Sequence, residues 1–155
     1  MAGTIDAQLK KLGLSLPEPP AAAARYVPFV VSGNLVFIAG QLPLQGGKVS
    51  VMGKLGGGVS LDDGTHAARI CAINLVAQLK SACGGDLDKV KRCVRLNGFV
   101  ASAPEFTEQP RVMNGASDLM VEIFGEAGRH SRVAVGVSAL PLDAAVEVDG
   151  IFEIG

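Results

Sequence analysis

The chain has 155 residues, 48% of them hydrophobic, with a net charge of −1 and three cysteines. That length suits one domain that buries its own core without metal or disulfides, and so much apolar material excludes a disordered chain. The balanced charge lacks the basic excess of a nucleic-acid binder, and no apolar run approaches the ~18 residues of a membrane span.

Residues 4–13 read as a short helix, with Ile5, Leu9 and Leu12 at helical spacing and Gly13 closing the end. The proline-broken segment that follows (LSLPEPPAAAA) is a surface strap. From Tyr26 the pattern changes to two strands split by Ser32-Gly33-Asn34, a hairpin signal. The second strand is apolar on both faces, Leu35, Phe37 and Ala39 against Val36 and Ile38, and reads as covered on both sides. The glycine-rich stretch after it is a loop with at most one edge strand. Its GGG lacks the lysine and hydroxyl residue of a phosphate-binding loop.

Asp62, Asp63 or Thr65 can cap a long helix reaching Cys83, with Ala68, Cys71, Ala72, Leu75, Leu79 and Ala82 as its buried stripe. Gly84-Gly85 stops it. Residues 90–101 alternate as a strand, with Val90, Val94, Leu96, Gly98 and Val100 opposite Cys93, Arg95, Asn97 and Phe99. A second long helix follows Thr107, burying Val112, Ala116, Leu119, Ile123 and Ala127. Strands at 131–138 and 145–154, joined by a Leu-Pro-Leu-Asp turn, complete an α+β pattern.

Two long helices cover one face of a five- or six-stranded mixed sheet and leave the other bare. On the penultimate strand Val133, Val135 and Val137 suit packing under the helices. Arg132, Ala134, Gly136 and Ser138 then form a row of small residues, with one long cation at its end, open to a second subunit. Oligomerisation is the expectation, against the alternative of a sheet with one wet face.

The C-terminal residues carry a resemblance. Arg132 opening a strand, Leu140-Pro141, then Val146-Glu147-Val148 are similar to the closing motif of the YjgF-like, or RidA-like, family, also labelled endoribonuclease L-PSP. Upstream, IAGQLP at 38–43 resembles the family's Ser-Gly-Gln-hydrophobic-Pro segment, with Ala39 where serine is common. Tyr26 and Asn114 match a tyrosine and an asparagine of the same family, and GRHSR with AVGV points to a branch distinct from RidA itself. The resemblance spans the chain from Tyr26 onward. Residues 1–25 and the glycine-rich loop are additions to one domain covering 1–155.

It implies a chorismate-mutase-like fold and a homotrimer whose sheets form a central barrel, with small-molecule sites in intersubunit clefts. It also implies cofactor-free hydrolysis of enamines or imines to 2-keto acids and ammonia. Arg132 is then the fork that grips a substrate carboxylate, where the residues alone favour a structural ion pair at a strand end. Glu147 would activate water, where by itself it reads as a solvated glutamate. Ala134 stands where RidA-type members carry cysteine and keeps only a backbone role. Tyr26, Gly40, Gln41, Asn114 and His130 complete the expected lining. No metal or cofactor, nucleic acid or membrane partner is expected. The odd cysteine count, without metal-ligand spacing, and a start with no signal-like segment suit the cytoplasm. A non-catalytic carboxylate-binding trimer is the alternative, and an endoribonuclease the least supported reading.

Overall fold

In a computed structural model, which describes residues 3–19 and 24–155, the chain runs from a short helix α1 (Thr4–Lys11) into a hairpin, β1 (Phe29–Ser32) and β2 (Leu35–Gln41). Two-residue pairs follow, β3 (Leu44–Gln45) with β4 (Lys48–Val49) and β5 (Lys54–Leu55) with β6 (Gly58–Val59). Then come α2 (Leu61–Ala82), β7 (Val90–Ala101), α3 (Gln109–Phe124), β8 (Ser131–Val137) and β9 (Val146–Ile154). The long strands form one five-stranded mixed sheet in the order β1-β2-β9-β7-β8, antiparallel except for β7 beside β8. This is the expected α+β architecture. The Pro20–Ala23 part of the predicted strap lies outside the described residues.

The hairpin turn has Gly33 at φ +60, the left-handed geometry a two-residue connection requires at its first position. Ser60, not Asp62, Asp63 or Thr65, caps α2: its hydroxyl accepts the Asp63 amide hydrogen at 3.1 Å. The Thr65 hydroxyl instead donates to the Leu61 carbonyl inside the helix. Helix α1 has no side-chain cap of its own. The Asp88 carboxylate, distant in sequence, accepts the Thr4 and Ile5 amides at 2.9 Å each. The core lies between the two long helices and one face of the sheet, with Leu75, Leu79, Leu96, Leu119, Met120 and Phe152 fully buried. The three cysteines are free and buried.

Two sequence-based face assignments change. Cys93 pairs with buried Phe152 and is itself buried, because the register shifts between Cys93 and Arg95. A bulge of that kind moves a residue to the opposite face from strict alternation. On β8 the two faces are reversed. Arg132 and Ala134 lie level with Leu96 and Gly98 on the helix side, while Val133 and Val135 share the open face with Asn97 and Phe99. The small residues are needed because α3 and its lead-in press close. A Cβ on Gly98 would collide with the Met113 thioether, and one on Gly136 would lie 2.7 Å from Gln109 Nε2. The open face instead carries the bulk, with Val30, Phe37 and Val135 exposed. Phe37 of β2 is therefore not covered within the chain, contrary to the two-sided burial its sequence suggests.

Candidate functional site

Helix α3 and strand β8 build the site around Arg132. A single 3-10 turn (Gly125–Gly128) and the short link Arg129-His130 lead into the strand and deliver Arg132 beneath the first half of α3. Its guanidinium donates from Nη1 to Asn114 Oδ1 at 3.0 Å and to Ser117 Oγ at 3.1 Å, and from Nη2 to the Pro110 carbonyl at 3.3 Å. Asn114 and Ser117 are three residues apart, one helical turn, so both face the strand. Pro110 in the first turn does not break the helix, and its carbonyl serves as the third acceptor.

Three of the five guanidinium donors are thus engaged, all by neutral oxygens, and among the described residues Arg132 has no carboxylate partner. Its charge is oriented but uncompensated. Ser117, Asp118, Val121, Arg129, His130 and Arg132 line a shallow depression here. His130 is half-buried. Its Nε2 lies 2.9 Å from Ser117 Oγ and its Nδ1 2.6 Å from the Gly128 carbonyl. Burial, and then the Arg132 charge, lower its pKa, with the Gly128 contact opposing them.

The remaining expected residues lie elsewhere in the protomer. Glu147 pairs with Phe99, which pairs with Val135, so Glu147 belongs to the open face, the side opposite Arg132. Its carboxylate covers Gly40, where any Cβ would collide with it. Burial first, and the neighbouring Asp149 charge second, push the Glu147 pKa up. Asp149, also raised by burial, accepts a 2.6 Å hydrogen bond from Asn97 Nδ2, and Asn97 Oδ1 accepts one from Arg95 Nε at 3.0 Å.

Gln41 lies beyond a bulge in β2 and is turned inward, with Nε2 donating to the Ala39 carbonyl at 2.9 Å. Tyr26 is exposed ahead of β1, at the sheet edge farthest from β8. Ala134 packs against the core beside Arg132.

The structure therefore brings Arg132, Asn114, His130 and Ala134 together, and separately places Glu147 over Gly40. Sequence reading missed Ser117, which its spacing from Asn114 could have revealed, and Asp149, which shares a strand face with Glu147. Among the described residues no group of three His, Cys, Asp or Glu side chains is arranged for a metal, and no helix is long and apolar enough to cross a membrane.

Comparison with known proteins places this geometry in a family. Residues 6–153 match the model described as "YjgF/chorismate_mutase-like, putative endoribonuclease". Protein TCP17 of Trypanosoma cruzi is 49% identical over 99% of this chain and 96% of its own. The crystal structure of Atu1372 from Agrobacterium tumefaciens, a protein of unknown function, is 50% identical with a TM-score of 0.92, covering 97% of this chain and 92% of the other. Further off, RidA from an Antarctic Psychrobacter species is 26% identical with a TM-score of 0.60, over 88% of this chain and 94% of its own. The chain belongs to the YjgF/chorismate-mutase-like family.

Proposed function

We propose that this chain binds a small carboxylate on Arg132 and hydrolyses reactive enamines or imines derived from amino acids. The observation that carries the reading is the guanidinium itself, held by three neutral oxygens and, among the described residues, with no anionic partner and two donors left. A planar fork with two free donors matches a carboxylate, which accepts two parallel hydrogen bonds. Family membership alongside a RidA supports the reaction class. Water oxygen adds to the imine carbon, the C–N bond of the resulting carbinolamine breaks, and the products are a 2-keto acid and ammonia. Positioning supplies most of what this step needs, and no cofactor is required.

The site is completed in a cleft between copies of a homotrimer. Tyr26 leads into β1 and Arg132 sits on β8, the two opposite edge strands of the sheet, and Glu147 lies on the face away from Arg132, so one chain alone does not unite them. The exposed Val30, Phe37 and Val135 supply apolar surface for packing such an assembly. Within it the desolvated Glu147 is the water-activating base. An RNA-cleaving role, named in the family description, finds no basic excess to support it, because the net charge is −1.

The test is to generate 2-aminoacrylate or 2-iminobutyrate with a pyridoxal-phosphate dehydratase and follow keto-acid release. The parent accelerates release, and Arg132→Ala does not. No acceleration over buffer for several imines refutes the hydrolase reading. Keto-acid binding lost in Arg132→Ala, with no turnover in the parent, would identify a binding protein instead.

A further inference from the structure

His130 and Ser117 form a hydrogen-bond chain that ends on the carboxylate anchor, and its directions follow from the atoms involved. The Gly128 carbonyl only accepts, so His130 Nδ1, 2.6 Å away, carries a hydrogen. In the neutral ring Nε2 then holds a lone pair, and the Ser117 hydroxyl donates to it across 2.9 Å. Ser117 Oγ meanwhile accepts from Arg132 Nη1 at 3.1 Å. While His130 is neutral, the single hydroxyl hydrogen of Ser117 is occupied and the depression sees no donor from it.

Protonation of Nε2 reverses one bond without moving a heavy atom. Nε2 then donates to Oγ, Oγ accepts from both His130 and Arg132, and the hydroxyl hydrogen is free to turn outward.

We infer that Ser117 and His130 are the proton-accepting half of the Arg132 site: a bound carboxylate draws a proton onto His130, and Ser117 then donates its hydroxyl hydrogen to the ligand. This rests on the carboxylate reading of Arg132 and deepens it. Both side chains line the same depression as Arg132, so ligand held there meets the hydroxyl directly. Among the described residues, the charged groups that share this depression with His130 are Arg132 from β8, Asp118 from α3 and Arg129 from its own loop. Arg129 is engaged with Glu126 at 3.2 Å and receives Arg92 Nη2 on its carbonyl.

Without ligand, burial and the Arg132 charge hold the imidazole below its ordinary pKa. A carboxylate on Arg132 cancels that repulsion and adds attraction, so the ligand raises the His130 pKa. Proton uptake occurs between those two values, and affinity falls as pH rises through the window.

The experiment titrates 2-oxobutyrate into the parent by calorimetry in buffers of different ionisation enthalpy, between about pH 5 and 8. The keto acid stays ionised throughout, so any uptake belongs to the protein. Expected are fractional proton uptake and an affinity loss of at most about tenfold per pH unit, the limit for one linked proton. His130→Asn should bind with neither uptake nor slope.

A measurement on the parent alone guards against a variant that fails to fold. The chain has two histidines, and proton NMR should show the His130 imidazole titrating at higher pH when 2-oxobutyrate is added. Binding without uptake, uptake that persists in His130→Asn, or an unshifted His130 titration overturns the inference and leaves the carboxylate site standing. Absence of binding heat in every buffer overturns both.

Discussion

Replacing Arg132 separates a ligand anchor from a structural clasp, because the two roles predict different losses. In Arg132→Ala three hydrogen bonds to Asn114, Ser117 and Pro110 disappear, but their acceptors lie at a partly open sheet edge where water replaces the arginine. The fold should lose roughly 1–3 kcal/mol, the summed net worth of three hydrogen bonds that water partly replaces. For a 155-residue chain that is a fall in Tm of roughly 2–12 °C. A ligand carboxylate instead loses a charge-assisted fork, at about 1.5–3 kcal/mol, so Kd for 2-oxobutyrate rises roughly ten- to a hundredfold. Arg132→Lys keeps the charge but not the fork, and should fall at the low end of that range. Calorimetry gives Kd, and a thermal scan on the same samples gives stability. A folded Arg132→Ala that binds as tightly as the parent refutes the assignment.

Gly40→Ala should displace the Glu147 carboxylate, since the new Cβ would occupy its place, lowering kcat for imine hydrolysis while thermal stability changes little. Gly115→Ala should destabilise by about 3 kcal/mol, because its Cβ meets the Thr65 backbone carbonyl where α2 and α3 cross; a chemical melt close to the parent's would contradict this. Glu147→Gln should stabilise the isolated fold near neutral pH. The folded-state pKa is raised, so the native state binds its proton more tightly than the unfolded chain, and stability attributable to Glu147 falls as pH rises through that value. The variant's advantage in Tm should therefore vanish once pH drops below the ordinary carboxylate range. Asp88→Ala should lose amide-exchange protection at the start of α1, whose first two amides it accepts.

Element order was legible because each long element carries its own period and stop signals: Gly84-Gly85 after α2, and Pro110 at the start of α3. Strand faces were less legible. Alternation on β8 says that Val133 and Val135 share a side, but not which side the helices occupy, and valine's affinity for cores suggested the wrong one. What decides it is the close approach of α3 and the segment before it, a property of packing visible only through Gly98 and Gly136. The Cys93 bulge is invisible for a related reason, since an extra residue shows itself only against its partner strand. Within the site, the family motif pointed to Arg132 and Asn114. Ser117 escaped because a mid-helix serine ordinarily satisfies itself on its own backbone, and here it turns to His130 and Arg132.

Four inter-strand steps of about 4.8 Å put β1, which Tyr26 leads into, and β8, which carries Arg132, roughly 19 Å apart in one sheet. No side-chain rotation closes that distance, nor does any carry Glu147 through the sheet. If these residues serve one reaction, neighbouring copies must supply them, and that has a consequence independent of knowing the substrate. Arg132→Ala and Glu147→Gln should each be inactive alone. Mixed in one oligomer by co-expression, they should recover activity, because some clefts pair an intact Arg132 with a neighbour's intact Glu147. Random assortment gives roughly a quarter of the parental sites. Recovery requires mixed oligomers, so the same two proteins purified separately and combined without subunit exchange should stay inactive. Mixed oligomers that remain dead would mean that Arg132 and Glu147 act within one chain or that Glu147 takes no part. In either case the desolvated carboxylate over Gly40 would need another explanation than water activation.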